Sequence, residues 1–500
     1  MTPFGDAPSA RPGTRRLRPS KLVRVCALAL AGAAAAAAAT PIAPAVRTTG
    51  NKSIDARDAK AGVVEVVGRP ATGRSERGVT SAAPAARRAA ASLRRSGLLR
   101  IEDDVLRDDR GPTLVLGATL FRAAWAYRHD RAWLEDQLRF LADHGFSAIR
   151  ALGVVGDPAG PDYWDGREID WRWPDYDEVI AGLTDLAYDR YGLRVQWTLF
   201  GGADHNTPDP RDRERLVDRF AAMARGREEK ILAFEIANEH YANGFEGPEG
   251  IAELGRLARR LAAATPVLVA ASQHTEELCP VYEGGGIDLA IFHFDRGGEG
   301  WEPIRQPWRL ATGRIASTRS CPGLPRVGSN NEPIGPGSSV QSESDPLRLV
   351  MSAVMTYVAG LPIYIFHSGP GVRDDPAYPA GLRPSRLQDL PGAGPIFGGF
   401  CALGDYLPTD LAAWERVTSP GALPIVPAGS SAELYAARRG NEFLAALLAP
   451  AGRATFTARA PVEVVVIDPL TGRALRTEEL VAGMPLVIER EAAVIKGSRR

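Results

Sequence analysis

The chain has 500 residues, 45% apolar and 24% charged, a globular composition with enough apolar mass for a large core and too much length for one small domain. Lys+Arg and Asp+Glu each number 60, so the formal net charge is zero. The balance is uneven: residues 1–45 carry +5, residues 46–98 carry +7 and the remaining body carries −12, which argues against nucleic acid as the main partner.

The N-terminus has the pattern of an export signal over 1–45. Arg15, Arg16, Arg18, Lys21 and Arg24 precede an Ala/Leu-rich run over 25–39, and Ala43-Pro44-Ala45 offers a small-residue cleavage point. This predicts an exported protein, extracellular, periplasmic or at the cell surface. The run is short and Ala-rich, so no stable membrane insertion is expected after cleavage, with an uncleaved anchor as the alternative. Residues 46–98 are rich in Ala, Arg, Ser, Gly and Pro with almost no aromatics, and this composition predicts a disordered spacer. Of the four cysteines, Cys26 leaves with the leader. Cys279 and Cys321 are either a disulfide of an oxidising compartment or, with Cys401, buried thiols.

From residue 99 strands and helices alternate. Strands are expected over 113–120, 147–155, 193–200, 231–237, 266–271, 287–294, 326–329 and 361–366. Helices are expected over 131–144, 176–189, 209–225, 249–264 and 346–358. Asp209 followed by Pro210 is an N-cap with proline at the first helical position. Eight strands with helices between most of them predict an α/β fold, a (β/α)8 TIM barrel over 99–418. No Gly-rich phosphate loop follows the first strand, which disfavours an open nucleotide-binding sheet. Beyond 419 short strands over 434–438, 442–448, 454–458, 462–468 and 486–489 are separated by turn residues, predicting a small antiparallel β-sandwich over 419–500.

Polar residues gather where the barrel strands end, which is where such a fold places its chemistry. The apolar run 231–237 stops at Asn238-Glu239-His240, and the seventh strand leads into Asn330-Asn331-Glu332-Pro333. Strands four and seven lie across the barrel mouth from each other, so Glu239 and Glu332 are expected to face one another. Paired carboxylates in that position suit general acid and nucleophile work on a glycosidic bond. No HExxH motif and no His/Cys/Asp cluster with ligand spacing occurs, so neither a metal nor another cofactor is indicated. A G-x-S-x-G elbow is also missing.

Phe-Glu-Ile-Ala-Asn238-Glu239 and Gly-Ser-Asn-Asn-Glu332-Pro resemble the strand-four and strand-seven signatures of the clan A retaining glycoside hydrolases, the cellulase-like enzymes of family 5 or a related family. The resemblance spans about 99–420 as pattern and is sharp at those two places. It implies hydrolysis of β-glycosidic bonds in an oligo- or polysaccharide by double displacement, with Glu239 as acid/base and Glu332 as nucleophile. It implies further that Asn238 bonds the sugar 2-hydroxyl, that Arg150 orients the nucleophile, and that His205 and His293 are active-site histidines. Two departures are visible: His293-Phe294-Asp295 lacks the tyrosine of a His-x-Tyr run, and Tyr364, Phe366 and His367 stand where a tryptophan is usual. The sugar platform is therefore expected from Trp125, Tyr127, Trp301 or Trp308, and a catalytically silent carbohydrate-binding barrel is the alternative function.

Overall fold

The computed structural model describes residues 96–156, 164, 166–274, 279–315, 321, 323–337, 342–372, 386–429 and 432–500. The expected export signal and the expected spacer up to residue 95 lie outside the described residues. Three short antiparallel strands come first: β1 (Arg100–Glu102), β2 (Val105–Asp108) and β3 (Gly111–Pro112). Their period is too short to read from sequence, but their packing explains them. Leu99 and Leu106 share one apolar cluster with Val115, Leu232, Leu268, Leu289, Val327 and Ile363, all near the starts of barrel strands. This small sheet closes the N-terminal mouth of the barrel.

The barrel strands are β4 (Val115–Thr119), β5 (Ala148–Val154), β6 (Arg194–Phe200), β7 (Ile231–Ala237), β8 (Val269–His274), β9 (Leu289–His293), β10 (Gly328–Asn330) and β11 (Ile363–Phe366). They pair in that order, all parallel, and β11 returns to β4, closing an eight-stranded barrel as the pattern predicted. The expected strand over 266–271 is displaced to Val269–His274. Pro266 has no N–H to give a ladder, so the extended segment enters the sheet only after it.

Side chains alternate across the barrel wall. On β6, Trp197 points out to the helical layer, where its ring meets Phe220 at 5.6 Å, while Gln196 and Thr198 point in. On β7, Phe234 points out to Phe220 and Glu235 points in. A register shift against β6 between Val195 and Gln196 sets this phase, so Glu235 lies beside Thr198 and level with the inward residues of β6.

The helices absent from the sequence reading include Ala123–His129, Glu302–Ala311, which contains Pro303 and Pro307, and Ala393–Tyr406, which is interrupted by glycines. The expected helix over 176–189 is α-helical over Tyr176–Asp185 and continues as a π-helical turn over Leu186–Arg190.

The C-terminal strands are β12 (Glu415–Val417), β13 (Ile425–Pro427), β14 (Glu433–Arg439), β15 (Glu442–Leu448), β16 (Ala454–Ala458), β17 (Val462–Ile467), β18 (Ala474–Leu480), β19 (Pro485–Ile488) and β20 (Ala492–Arg499). They form antiparallel sheets in the orders β12-β14-β15-β20-β17-β18 and β13-β16-β19. Along β15 the two faces have different partners. Phe443, Ala445 and Leu447 fill the core between the two sheets. Leu444, Ala446 and Leu448 join the barrel's helical layer, in one cluster with Leu349 and Ala353 of helix Pro346–Val358. The larger sheet is thus apolar on both faces, and Arg305 adds a two-pronged ion pair to Glu433 across the same contact, at 2.8 and 2.7 Å.

Leu106→Ala is expected to destabilise the protein by about 2–5 kcal/mol through loss of apolar contact and the cavity left behind. Leu475→Ala, at a position 40% exposed, is the control and is expected to stay within about 0.5 kcal/mol of wild type. Denaturant melts of both variants measure this, and equal effects would contradict a packed closing sheet.

Candidate active site

The end of β7 is built by a sharp reversal of the chain. Glu239 adopts a left-handed conformation, φ 41° and ψ 61°, one of three described non-glycine residues with positive φ. A side chain there costs on the order of 1–3 kcal/mol, so neighbouring bonds must hold it. The Ser272 hydroxyl of β8 accepts the Glu239 N–H at 2.9 Å and donates to the Ala237 carbonyl at 2.9 Å. Asn243 Nδ2 donates to the carbonyls of Asn238 and Glu239 at 2.8 and 3.3 Å. The strained turn aims the Glu239 side chain into the barrel mouth.

Glu332 follows β10, whose three residues are small or polar. Asn330 Nδ2 donates to Thr356 Oγ1 of helix Pro346–Val358 at 3.0 Å, fixing the strand from outside. Gly335 lies so close to the His367 carbonyl that no side chain fits, which draws the loop after Glu332 tightly against the end of β11.

Arg150 of β5 joins the two strand ends. Its side chain is fully buried. Nη1 donates to Glu332 Oε1 at 2.7 Å, Nη2 donates to Asn238 Oδ1 at 2.7 Å and to Glu235 Oε1 at 2.9 Å, and Nε donates to Glu235 Oε2 at 2.9 Å. Glu235 also accepts from Gln196 Nε2 at 3.2 Å and from the Thr198 hydroxyl. Sequence reading missed Glu235 because it sits inside an apolar run. The available signal was its phase: an inward carboxylate in mid-strand needs a buried cation, and Arg150 was already in view.

His293, at the tip of β9, sits between the two carboxylates. Its Nδ1 is 3.0 Å from Glu239 Oε1 and its Nε2 is 3.8 Å from Glu332 Oε1. Arg296 Nη1 lies 3.4 Å from the other Glu332 oxygen, Oε2. Burial alone would raise the Glu332 carboxyl, but its basic neighbours, the imidazoles of His293 and His367 and the guanidinium groups of Arg150 and Arg296, hold it well below the usual carboxylate range. Glu239 is also lowered, less strongly: burial and the charge of Glu332 push it up, while hydrogen bonds from His293 and Tyr241 bring it down. The first proton to enter the pair therefore goes to Glu239, and Glu332 stays ionised.

The strand ends surround a cavity of about 360 Å³ whose lining includes Phe121, Trp164, Asn238, Glu239, Glu332 and His367. Arg150 and His293 touch these carboxylates from below. Five sequence candidates, His205, Trp125, Tyr127, Trp301 and Trp308, do not line the cavity. His205 sits on the short helix Ala203–Asn206, more than half exposed and 3.3 Å from Asp204, and does not line the cavity. Trp125 stacks on His129 at 5.3 Å. Trp301 is buried at the start of helix Glu302–Ala311, and Trp308 of that helix meets Tyr435 of the β-domain at 5.5 Å. The aromatic wall is instead Phe121 and Trp164, whose rings are 6.5 Å apart and edge to face. Phe121 directly follows β4 after Leu120, a position whose direction becomes clear only when the barrel closes.

Among the described residues, Glu239, His293 and Glu332 are the one grouping whose potential ligand atoms lie within 4.8 Å of one another, as a cation would need. The guanidinium groups of Arg150 and Arg296 already face both oxygens of Glu332, and positive charge there opposes a second cation. Cys279 and Cys321 form a disulfide, and Cys401 is an exposed thiol rather than a buried one. No described helix is long and apolar enough to cross a membrane.

His367 carries a testable pH signature. Burial lowers its imidazole from 6.5 to about 4, with Glu332 opposing and Arg296 and Arg150 assisting. Between those values the unfolded chain binds a proton that the folded chain does not, so stability falls as pH falls through this window. Wild type is expected to lose about 2–3 kcal/mol relative to His367→Gln between pH 7 and pH 4.5, measured by denaturant unfolding at both pH values. A constant difference would contradict a buried neutral imidazole.

No protein-family model matches the sequence, and no curated protein matches it. Solved structures do. The chain is similar to a glycoside hydrolase at 13% identity, with a TM-score of 0.53 over 81% of this chain and 97% of that one. It is also similar to a glycoside hydrolase family 5 protein from Bacteroides vulgatus at 14% identity, with a TM-score of 0.54 over 81% of this chain and 93% of that one. At such identities the likeness is one of fold, and the chain has the TIM-barrel fold of these glycoside hydrolases.

Proposed function

We propose that this protein is a glycoside hydrolase that cleaves β-glycosidic bonds of an oligo- or polysaccharide with retention of configuration. The observation that carries the reading is the pair Glu239 and Glu332. They come from strands on opposite sides of the barrel, and one oxygen of each lies within 4.8 Å of the other. So close an approach of the two carboxylates supports the roughly 5–5.5 Å separation of a retaining pair over the wider separation of an inverting one.

The roles follow from the surroundings. Glu332, held ionised, attacks the anomeric carbon, while Glu239 gives its proton to the leaving oxygen. Esterification removes the Glu332 charge that had been raising Glu239. The Glu239 carboxyl then falls further, which suits it to take a proton from water in the second step. Arg150 donates to Asn238 Oδ1, so the Asn238 amide nitrogen is left to donate to a sugar hydroxyl in the cavity. Phe121 and Trp164 offer apolar ring faces for a pyranose. The basic, Ala-rich leader and the Cys279–Cys321 disulfide support an exported protein working in an oxidising compartment.

On a β-linked polysaccharide panel and aryl β-glycosides, Glu239→Gln is expected to lower turnover by about 10²–10⁴-fold, with the smallest loss on substrates whose leaving group needs no proton. A 2-deoxy-2-fluoro glycoside is expected to label Glu332, and activity is expected to survive EDTA. Because both carboxyls are lowered, kcat/KM is expected to peak on the acid side of pH 7. Binding without turnover by wild type would favour the silent carbohydrate-binding barrel. Loss of activity in EDTA, restored by a divalent cation, would assign the three-residue grouping to a metal.

A further inference from the structure

The two oxygens of Glu332 have different cations. Oε1 accepts from Arg150 at 2.7 Å, and Arg150 is itself neutralised by its two-pronged bond with Glu235. Oε2 faces Arg296 at 3.4 Å. Arg296 is 8% exposed and lies three residues beyond His293, in the loop joining β9 to helix Glu302–Ala311. A buried guanidinium at ion-pair distance from one oxygen of an attacking carboxylate stabilises that carboxylate's charge. In double displacement the charge disappears when the glycosyl ester forms and returns when the ester breaks.

We propose that Arg296 is a positioning residue for the reaction, and that its main effect is on the second step, where Glu332 is the leaving group. In that step the water oxygen forms a bond to the anomeric carbon and the water proton passes to Glu239. The bond from the anomeric carbon to the Glu332 oxygen breaks, and its electron pair returns to the carboxylate beside Arg296. The inference rests on the double-displacement reading above. Arg150 bonds the other oxygen, Oε1, and divides its charge between Glu332 and Glu235, whereas Arg296 faces Oε2. The basic groups facing Glu332 are the imidazoles of His293 and His367 and the guanidinium groups of Arg150 and Arg296, with Glu239 opposing, so removal of Arg296 takes away one of two guanidinium cations and raises the proton affinity of the carboxylate.

The test compares wild type, Arg296→Gln and Arg296→Lys on an aryl β-glycoside with a good leaving group. For Arg296→Gln, kcat is expected to fall on the order of tenfold or more, with KM falling alongside it as the glycosyl-enzyme accumulates. Rapid quench and mass spectrometry should show a burst of phenol and a hexose-sized adduct on Glu332. The acidic limb of kcat/KM is expected to move up by roughly 1–3 pH units, and Arg296→Lys, which keeps the charge, is expected to recover part of both effects. Thermal melts of the two variants separate loss of folding from loss of charge. A drop in kcat with no burst, no fall in KM and an unmoved acidic limb would overturn the inference while leaving double displacement intact. Absence of any Glu332 adduct in wild type, including with the 2-deoxy-2-fluoro reagent, would overturn both.

Discussion

The buried guanidinium of Arg150 is the constraint on which the rest of the site depends. A charge without solvent must be matched on the spot, and breaking such a match costs about 3–5 kcal/mol. Glu235 takes two of its donors, Glu332 a third contact and Asn238 a fourth. Those partners come from the middle of β7, the loop after β10 and the tip of β7. One side chain therefore fixes the separation of two strands that have no direct pairing in the barrel. It also turns the Asn238 amide and keeps Glu332 ionised. In the proposed reaction a nucleophile and its acid need fixed geometry and unequal proton affinity, and a single cation contributes to both.

The β-domain bears on the same site without lining its cavity. The loop that carries Arg296 leads into helix Glu302–Ala311, and that helix is pinned by Arg305 to Glu433 and by Trp308 against Tyr435. The sheet is apolar on both faces because one face packs on the barrel helices. The proline-containing helix gains from that docking what its local sequence does not supply. The far side of the barrel mouth, with Glu239 in its left-handed turn, relies instead on the Ser272 hydroxyl, which accepts the Glu239 N–H, and on the Asn243 amide, which donates to the Asn238 carbonyl.

Much of this architecture was legible in the residues. Ile231–Ala237 and Pro346–Val358 were readable to the residue, the first from its unbroken apolar run; at the start of the second the structure adds an Asp345 side chain that accepts the Leu347 N–H. The acid pair was legible because polar triplets end apolar strands. Glu235 and Phe121 were missed, since their inward direction depends on strand phase and barrel closure. Trp301 and Trp308 were expected at the sugar because exposed aromatics and core aromatics look alike in one dimension; tertiary packing buried both. His205 followed a strand end as His293 does, but a helical turn over Ala203–Asn206 leads it out to solvent.

The central claim is that Glu239 and Glu332 form a retaining pair, and its most direct test is stereochemical. Proton NMR of the reaction in progress, on any β-glycoside that wild type cleaves, resolves the anomer released first. The spacing of the two carboxylates predicts that the β-hemiacetal appears first and the α-form grows in later by mutarotation. Initial release of the α-hemiacetal would mean a single displacement by water and would contradict the role assigned to Glu332.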